Sequence, residues 1–356
     1  MVPVLSEAQL KRLEEHKYSV SGVSVTERVL QVLWSWLVER LPMWVAPNLL
    51  TMAGFVINVV TSLMLICYAP TAKEEAPVWV YMSCAVGWFL YQCLDGMDGK
   101  QARRTGSSTP LGELFDHGSD AISSVFLVMA TGCAMKIGEM PALQFGMLFA
   151  ALVTFYSVHW DACMCGTVQV PLFPVSRRVA AIAPLIFVGL SRVCYILWTA
   201  LTEDVDKDNT TTNNNNNSAA APRAGHYSQN INKKISRVFS TGFPIFYPVS
   251  LACIIYGTSS SHLFLDHPCL YLLMFGLAIA KVSNKLIVSH ITKSEMTMLD
   301  SSMFGPGVLL LRQCCGGFIF VTMDLALYCC TVCEEICDHL DIYFFNITSK
   351  PSQRRH

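Results

Sequence analysis

Four stretches of this chain, residues 48–69, 76–94, 141–160 and 238–257, contain no Asp, Glu, Lys or Arg. Each approaches the roughly 20 residues that an α-helix needs to cross a bilayer's hydrocarbon core. No water is available there, so such a segment must satisfy its backbone hydrogen bonds internally, as a helix does. Four weaker runs carry a few ionisable groups. Residues 111–135 hold Asp116 and Asp120 in their first turns, 179–201 contain Arg192, 268–290 contain Lys281 and Lys285, and 316–333 contain Asp324. Together they predict an all-α, polytopic transmembrane bundle of about eight spans. Composition agrees, because 53% of the 356 residues are hydrophobic and only 14% are charged. Soluble domains carry about a quarter charged residues, so the bilayer is the expected solvent.

The flanking segments set the expected organisation. Ser6-Glu7-Ala8-Gln9 fits a capping box and predicts a short surface helix over 6–17. Val29 to Trp44 is amphipathic, carries tryptophans and is interrupted by Glu39, Arg40 and Pro42, so it reads as a helix in the headgroup region. Residues 1–47 are thus expected to be cytosolic and interfacial, 48–201 a membrane core, 202–237 a luminal low-complexity loop, 238–345 further membrane helices and 346–356 a cytosolic tail. No cleavable signal is visible in the polar first 28 residues. Lys11, Arg12, Lys17, Arg28 and Arg40 place the N-terminus in the cytosol by the positive-inside rule, and alternation returns the segment around Lys100, Arg103 and Arg104 to that side. Asn209 and Asn216 in the Asn-rich loop are then luminal glycosylation acceptors, whereas Asn346 is cytosolic. Most of the 15 cysteines lie in apolar runs and read as free thiols. Cys329, Cys330, Cys333 and Cys337 fit packing or acylation better than zinc, since no paired histidine accompanies them. A net charge of −1 offers no basic field, so nucleic acid is not an expected partner.

The chemistry concentrates in Asp95-Gly-Met-Asp98-Gly99-Lys-Gln-Ala102-Arg103 and Gly112-Glu113-Leu-Phe-Asp116-His117-Gly-Ser-Asp120. Asp95 and Asp98 share one helix face, as do Asp116 and Asp120. If the two helices are antiparallel neighbours joined near 104–111, four carboxylates converge and require a cation among them. All are hard oxygen donors, which favours Mg²⁺, with Mn²⁺ or Ca²⁺ as alternatives. Magnesium held by few carboxylates completes its shell with substrate phosphates, so the pattern points to phosphoryl chemistry at a pyrophosphate. Arg103 suits phosphate capture. Gly96, Gly99 and Ala102 form a smooth stripe that either admits a nucleotide or serves close helix packing. His117, with Glu113 one turn earlier, suits a general base.

Asp98-Gly99-x2-Ala102-Arg103-x8-Gly112-x3-Asp116-x3-Asp120 resembles the signature of the CDP-alcohol phosphotransferase superfamily at every fixed position. The surrounding LDGMDGKQARRTGSSTPLGELFDHGSD, with APNLLT, QLKRLEEHKYS, DHPCLYLLMFG and HITKSEM, is similar to the eukaryotic choline/ethanolamine phosphotransferases, nearest to the choline type, closely over about 6–160 and 262–310. The resemblance implies two Mg²⁺ ions, or Mn²⁺, on Asp95, Asp98, Asp116 and Asp120. It implies CDP-alcohol contacts at Asn48, Gly99, Arg103 and Gly112, and a proton acceptor at His117 helped by Glu113. It further implies CDP-choline or CDP-ethanolamine as donor and diacylglycerol or alkyl-acylglycerol as acceptor. A dimeric helical bundle of an internal membrane, endoplasmic reticulum or Golgi, with its site facing the cytosol, follows from it too. An aromatic cage for choline would draw on Tyr91, Trp79 or Trp160. The rivals are an ion transporter, which would spread acidic residues through the membrane depth, and a catalytically silent homologue.

Overall fold

The computed structural model describes residues 3–16, 20–21, 25–165, 168–169, 241–257, 263–296, 301 and 314–347. Helix α1 (Glu7–Glu14) starts at the predicted capping box, with Ser6 and Gln9 bonded reciprocally. Helix α2 (Val25–Val38) follows. The antiparallel core then builds through α3 (Pro47–Tyr68), α4 (Val78–Thr105), α5 (Pro110–Ala134) and α6 (Pro141–Cys165). Next come α7 (Thr241–Gly257), the short α8 (Leu263–Asp266), α9 (Pro268–Ile291) and α10 (Cys314–His339). The sole sheet pairing among the described residues is a two-residue parallel ladder of Val20–Ser21 with Val168–Gln169.

This is a multi-pass membrane architecture. Helices α3, α6, α9 and α10 are long and apolar enough to cross a bilayer, and α7 is a shorter apolar helix. Helices α4 and α5, 28 and 25 residues long, occupy two more predicted spans, but their adjoining ends carry the carboxylates and arginines. The predicted span at 179–201, the Asn-rich loop and its glycosylation acceptors lie outside the described residues.

Helix α9 forms the axis of the bundle, with 94% of its most apolar window buried against α5, α6 and α10. Apolar residues surround it, as expected of a helix enclosed by others. Lys281 on α9 is neutralised by Asp324 of α10 at 2.6 Å, with Ser301 bonded to both. The outer helices instead leave Val56, Val60, Met323 and Leu327 exposed, a surface suited to hydrocarbon. Polar pairs fasten the interior: Asn58 Nδ2 donates to the Ser123 carbonyl, and Asn284 Nδ2 to the Gly118 carbonyl. Gly118 permits the latter approach, since a Cβ there would lie 2.4 Å from Asn284 Oδ1.

Helix α2 packs one face on α4 through Trp34 and Val38 and exposes Val32 and Trp36. Its C-terminal carbonyls are capped from α4, where Arg104 Nη1 donates to Val38 O and Leu41 O at 2.7 Å each. Arg104 therefore holds two elements together beyond any effect on orientation.

Candidate metal centre and its cavities

The corner between α4 and α5 brings the carboxylates together. Gly106 closes α4 in the left-handed conformation, φ 66°, which glycine adopts without strain. Thr109 then caps α5, accepting from the Gly112 N–H at 3.1 Å, and Pro110 occupies the first turn where its missing N–H costs nothing. The two helices thus leave a tight turn, each packed chiefly on α3 rather than, as expected, on the other, and the aspartates at their adjoining ends meet.

Ligand atoms of Asp95, Asp98 and Asp116 lie within 4.8 Å of one another. Asp120, one turn beyond Asp116, lines the same cavity. Two of the four carboxylates are oriented by protein donors. Thr51 Oγ1 donates to Asp98 Oδ2 at 2.5 Å and the Gly99 N–H donates to Asp98 Oδ1 at 2.5 Å, while the Tyr91 hydroxyl donates to Asp120. On the other two, Oδ1 of Asp95 and Oδ1 of Asp116 are buried without a hydrogen-bond partner. Buried oxygens of that kind are costly unless something cationic takes them up. Hard, clustered and partly unsatisfied, the donor set fits a divalent metal of the magnesium class.

The cluster forms one wall of a cavity of about 720 Å³. Asn48, Gly99, Arg103 and Gly112 all line it, so the predicted substrate contacts converge on the predicted metal ligands. Lys100, Gln101 and Arg104 are committed to α2 and the chain after it, through Gln31, Ser35, Pro42, Val45, Val38 and Leu41. Arg103 instead runs along Gly99, its Nη1 3.6 Å from where a Cβ would stand, and remains exposed to the cavity.

Comparison with known proteins places this arrangement. The family model for CDP-alcohol phosphatidyltransferase matches residues 44–201. Over 97% of its length the chain is 40% identical to Cholinephosphotransferase 1 of Xenopus laevis, covering 91% of that protein, and 41% identical to Cholinephosphotransferase 1 of Danio rerio, covering 96%. With Cholinephosphotransferase 1 of Homo sapiens it shares 38% identity over 96% of the chain and 89% of the relative. The chain belongs to the CDP-alcohol phosphatidyltransferase family. The similarity runs beyond 6–160 and 262–310, since these alignments cover nearly the whole sequence.

Two features of this CDP-alcohol phosphatidyltransferase add to what its motif shows. Glu113 Oε2 pairs with His16 Nε2 at 2.8 Å, both side chains being nearly buried. The His117 ring packs edge-on to His159, centroids 5.3 Å apart, on the side of α5 next to the metal-facing one. Tyr91, Trp79 and Trp160, the aromatic residues available for a cage, stand apart from one another. Trp79 stands at the far end of α4 against Tyr68, and Trp160 donates to Thr241 on α7. Tyr91 alone reaches the cluster, through Asp120, while Trp34 is the tryptophan that lines the cavity.

A second cavity of about 990 Å³ lies on the other side of α5, between α3, α9 and α10. Its wall is apolar, with Phe55, Ile122, Phe126 and Leu325 among the lining residues. Cys329, Cys333 and Cys337, one turn apart on α10, face it, in keeping with a packing role. The segment after α10 lines the second cavity and is bonded to the wall of the first. Phe344 accepts a bond from Asn48 Nδ2 through its carbonyl, at 3.0 Å, and packs on Phe115 with its ring. Sequence reasoning missed His16, Thr51 and Phe344, each distant along the chain from the motif. Thr51 and His16 do lie in the matching segments APNLLT and QLKRLEEHKYS, but nothing in those segments assigns them a role.

Proposed function

We propose that the chain transfers phosphocholine from CDP-choline to diacylglycerol, releasing CMP and leaving phosphatidylcholine. The observation that carries this reading is the pairing of two cavities on α5, one polar and walled by Asp95, Asp98, Asp116 and Asp120, the other apolar. A charged nucleotide carrier and a two-chain lipid need such different solvents, and a reaction between them needs both beside one centre. The similarity to proteins named Cholinephosphotransferase 1 supports the choline head group.

In this reading Asp95, Asp98, Asp116 and Asp120 hold two Mg²⁺ ions, replaceable by Mn²⁺. When bound, the ions supply charge stabilisation for the pyrophosphate and the departing CMP. Arg103 and Asn48 hold the CDP-alcohol, with the bare backbone at Gly99 and Gly112 leaving room for it. The acceptor hydroxyl oxygen forms its bond to the choline-bearing phosphorus as the pyrophosphate P–O bond breaks, and the hydroxyl proton passes to His117. Thr51 and Tyr91 keep Asp98 and Asp120 in fixed orientations, so less reorganisation accompanies the reaction. The basic residues around α1 and α2 support a site on the cytosolic side of the membrane, and the family resemblance is the ground for an internal membrane, endoplasmic reticulum or Golgi.

Purified full-length protein in lipid nanodiscs, given diacylglycerol with CDP-choline and CDP-ethanolamine in competition, tests the reading. Formation of phosphatidylcholine in preference to phosphatidylethanolamine, abolished by a chelator and restored by Mg²⁺, is expected. A reversed preference would move the assignment to an ethanolaminephosphotransferase. Turnover indifferent to chelation would remove the metal from the mechanism.

A further inference from the structure

We infer that His16, outside the aspartate motif, is a positioning residue of the reaction: it fixes the carboxylate of Glu113 at the edge of the metal cavity. The inference rests on the transfer function proposed above. His16 Nε2 stands 2.8 Å from Glu113 Oε2, and the two side chains are only 8% and 9% exposed. Both residues line the cavity that holds the aspartates. Glu113 lies one turn before Asp116 on α5, so its carboxylate enters a site already crowded with negative charge. Left to itself it would swing away from those groups. An N–H of His16 donated to Oε2 holds it in one rotamer and meets its hydrogen-bonding need in a place where little water reaches.

The delivery of His16 is built into the fold. It leaves the end of α1, and α1 is fastened to the far side of the bundle. The backbone N–H groups of Val4 and Leu5 both donate to the Glu335 carboxylate at 2.8 Å. Gln9 donates to Ser294, Arg12 donates to the Lys293 carbonyl, and Glu14 pairs with His339 at 2.8 Å. Leu5 and Leu13 are buried against Leu111, Ile287 and Ile336. These ties reach α5, α9 and α10, so α1 is placed relative to three elements before His16 touches Glu113. The His16 ring then lies edge-on to His290, 5.8 Å between centroids, which limits its rotation.

The test uses full-length protein in nanodiscs, with kcat and both KM values measured for wild type, His16→Ala, His16→Gln, Glu113→Gln, the double variant His16→Ala/Glu113→Gln, and Glu335→Gln. His16→Ala is expected to lower kcat about 10–100-fold, the usual scale for losing a residue that orients another, with KM for CDP-choline within about twofold. His16→Gln, which keeps a donor, is expected to recover most of that loss. The double variant should be no slower than Glu113→Gln, because the two residues act as one unit. Glu335→Gln weakens one of several ties of α1 without touching the cavity and is expected to lose much less kcat than His16→Ala. A His16→Ala enzyme with unchanged kcat, losses that multiply in the double variant, or an equal loss in Glu335→Gln would each overturn the inference while leaving the transfer function standing. A wild-type chain that turns over no CDP-alcohol would overturn both.

Discussion

Gly96 and Gly99 belong to one stripe of small residues on α4, yet the structure gives them opposite duties, and substituting each by alanine separates these. A Cβ on Gly96 would lie 2.4 Å from Cδ2 and Cε2 of Trp34 and 2.8 Å from its Cε3. Carbon atoms pack at about 3.5 Å or more, so the indole must retreat by about 1 Å. Trp34 is only 9% exposed, and overpacking of a filled site costs about 1–3 kcal/mol. The better helix propensity of alanine returns up to about 1 kcal/mol. Gly96→Ala is therefore expected to lose roughly 1–2 kcal/mol, taken from the packing of α2 on α4. At Gly99 the nearest atom to a built Cβ is Arg103 Nη1 at 3.6 Å, ordinary contact with a flexible group. Gly99→Ala is expected to be as stable as wild type, or more so by up to about 1 kcal/mol. Its methyl group instead occupies the wall on which the CDP-alcohol is proposed to lie, so KM for that substrate should rise. Thermal unfolding in nanodiscs together with steady-state kinetics reads both quantities. A Gly96→Ala protein as stable as wild type, or a Gly99→Ala protein that loses stability while its KM is unchanged, would refute the assignment of the two roles.

Further outcomes follow from single contacts. Lys281→Met leaves Asp324 without its cation inside the bundle and is expected to cost about 3–5 kcal/mol, whereas the double variant Lys281→Met/Asp324→Leu should return close to wild-type stability. A single variant that unfolds no earlier than wild type would refute the buried pairing. Thr51→Val removes the hydroxyl donated to Asp98 at nearly constant volume and should raise the Mg²⁺ concentration needed for half-maximal turnover about 10–100-fold. An unchanged metal titration would show that Thr51 merely packs. His117→Ala should abolish turnover while CDP-choline still binds, and near-wild-type rates would move the base role to another residue.

The run of residues between charges determined the helices by itself, because in a bilayer an unpaired backbone is too costly to permit another local choice. The spacing of Asp95 with Asp98 and of Asp116 with Asp120 likewise determined that each pair shares a face, and Gly106, Thr109 and Pro110 marked the corner that turns one pair towards the other. Which helix occupies the centre could not be read in that way. Helix α9, with two lysines, is among the weaker runs, yet it is the most enclosed of the spans among the described residues, while the more apolar α3 has 39% of its most apolar window buried. Hydropathy does not separate these cases, since lipid is as apolar as a protein core and Lys281 is tolerated only because Asp324 arrives from α10. The same holds within the site. Asp98, Asp120 and Glu113 are visible as a motif, but Thr51, Tyr91 and His16 reach them from 47, 29 and 97 residues away. Side-chain pairs at such separations are set by how the helices pack, so the tertiary structure alone decided which carboxylates accept bonds from protein donors and which keep a buried oxygen without one.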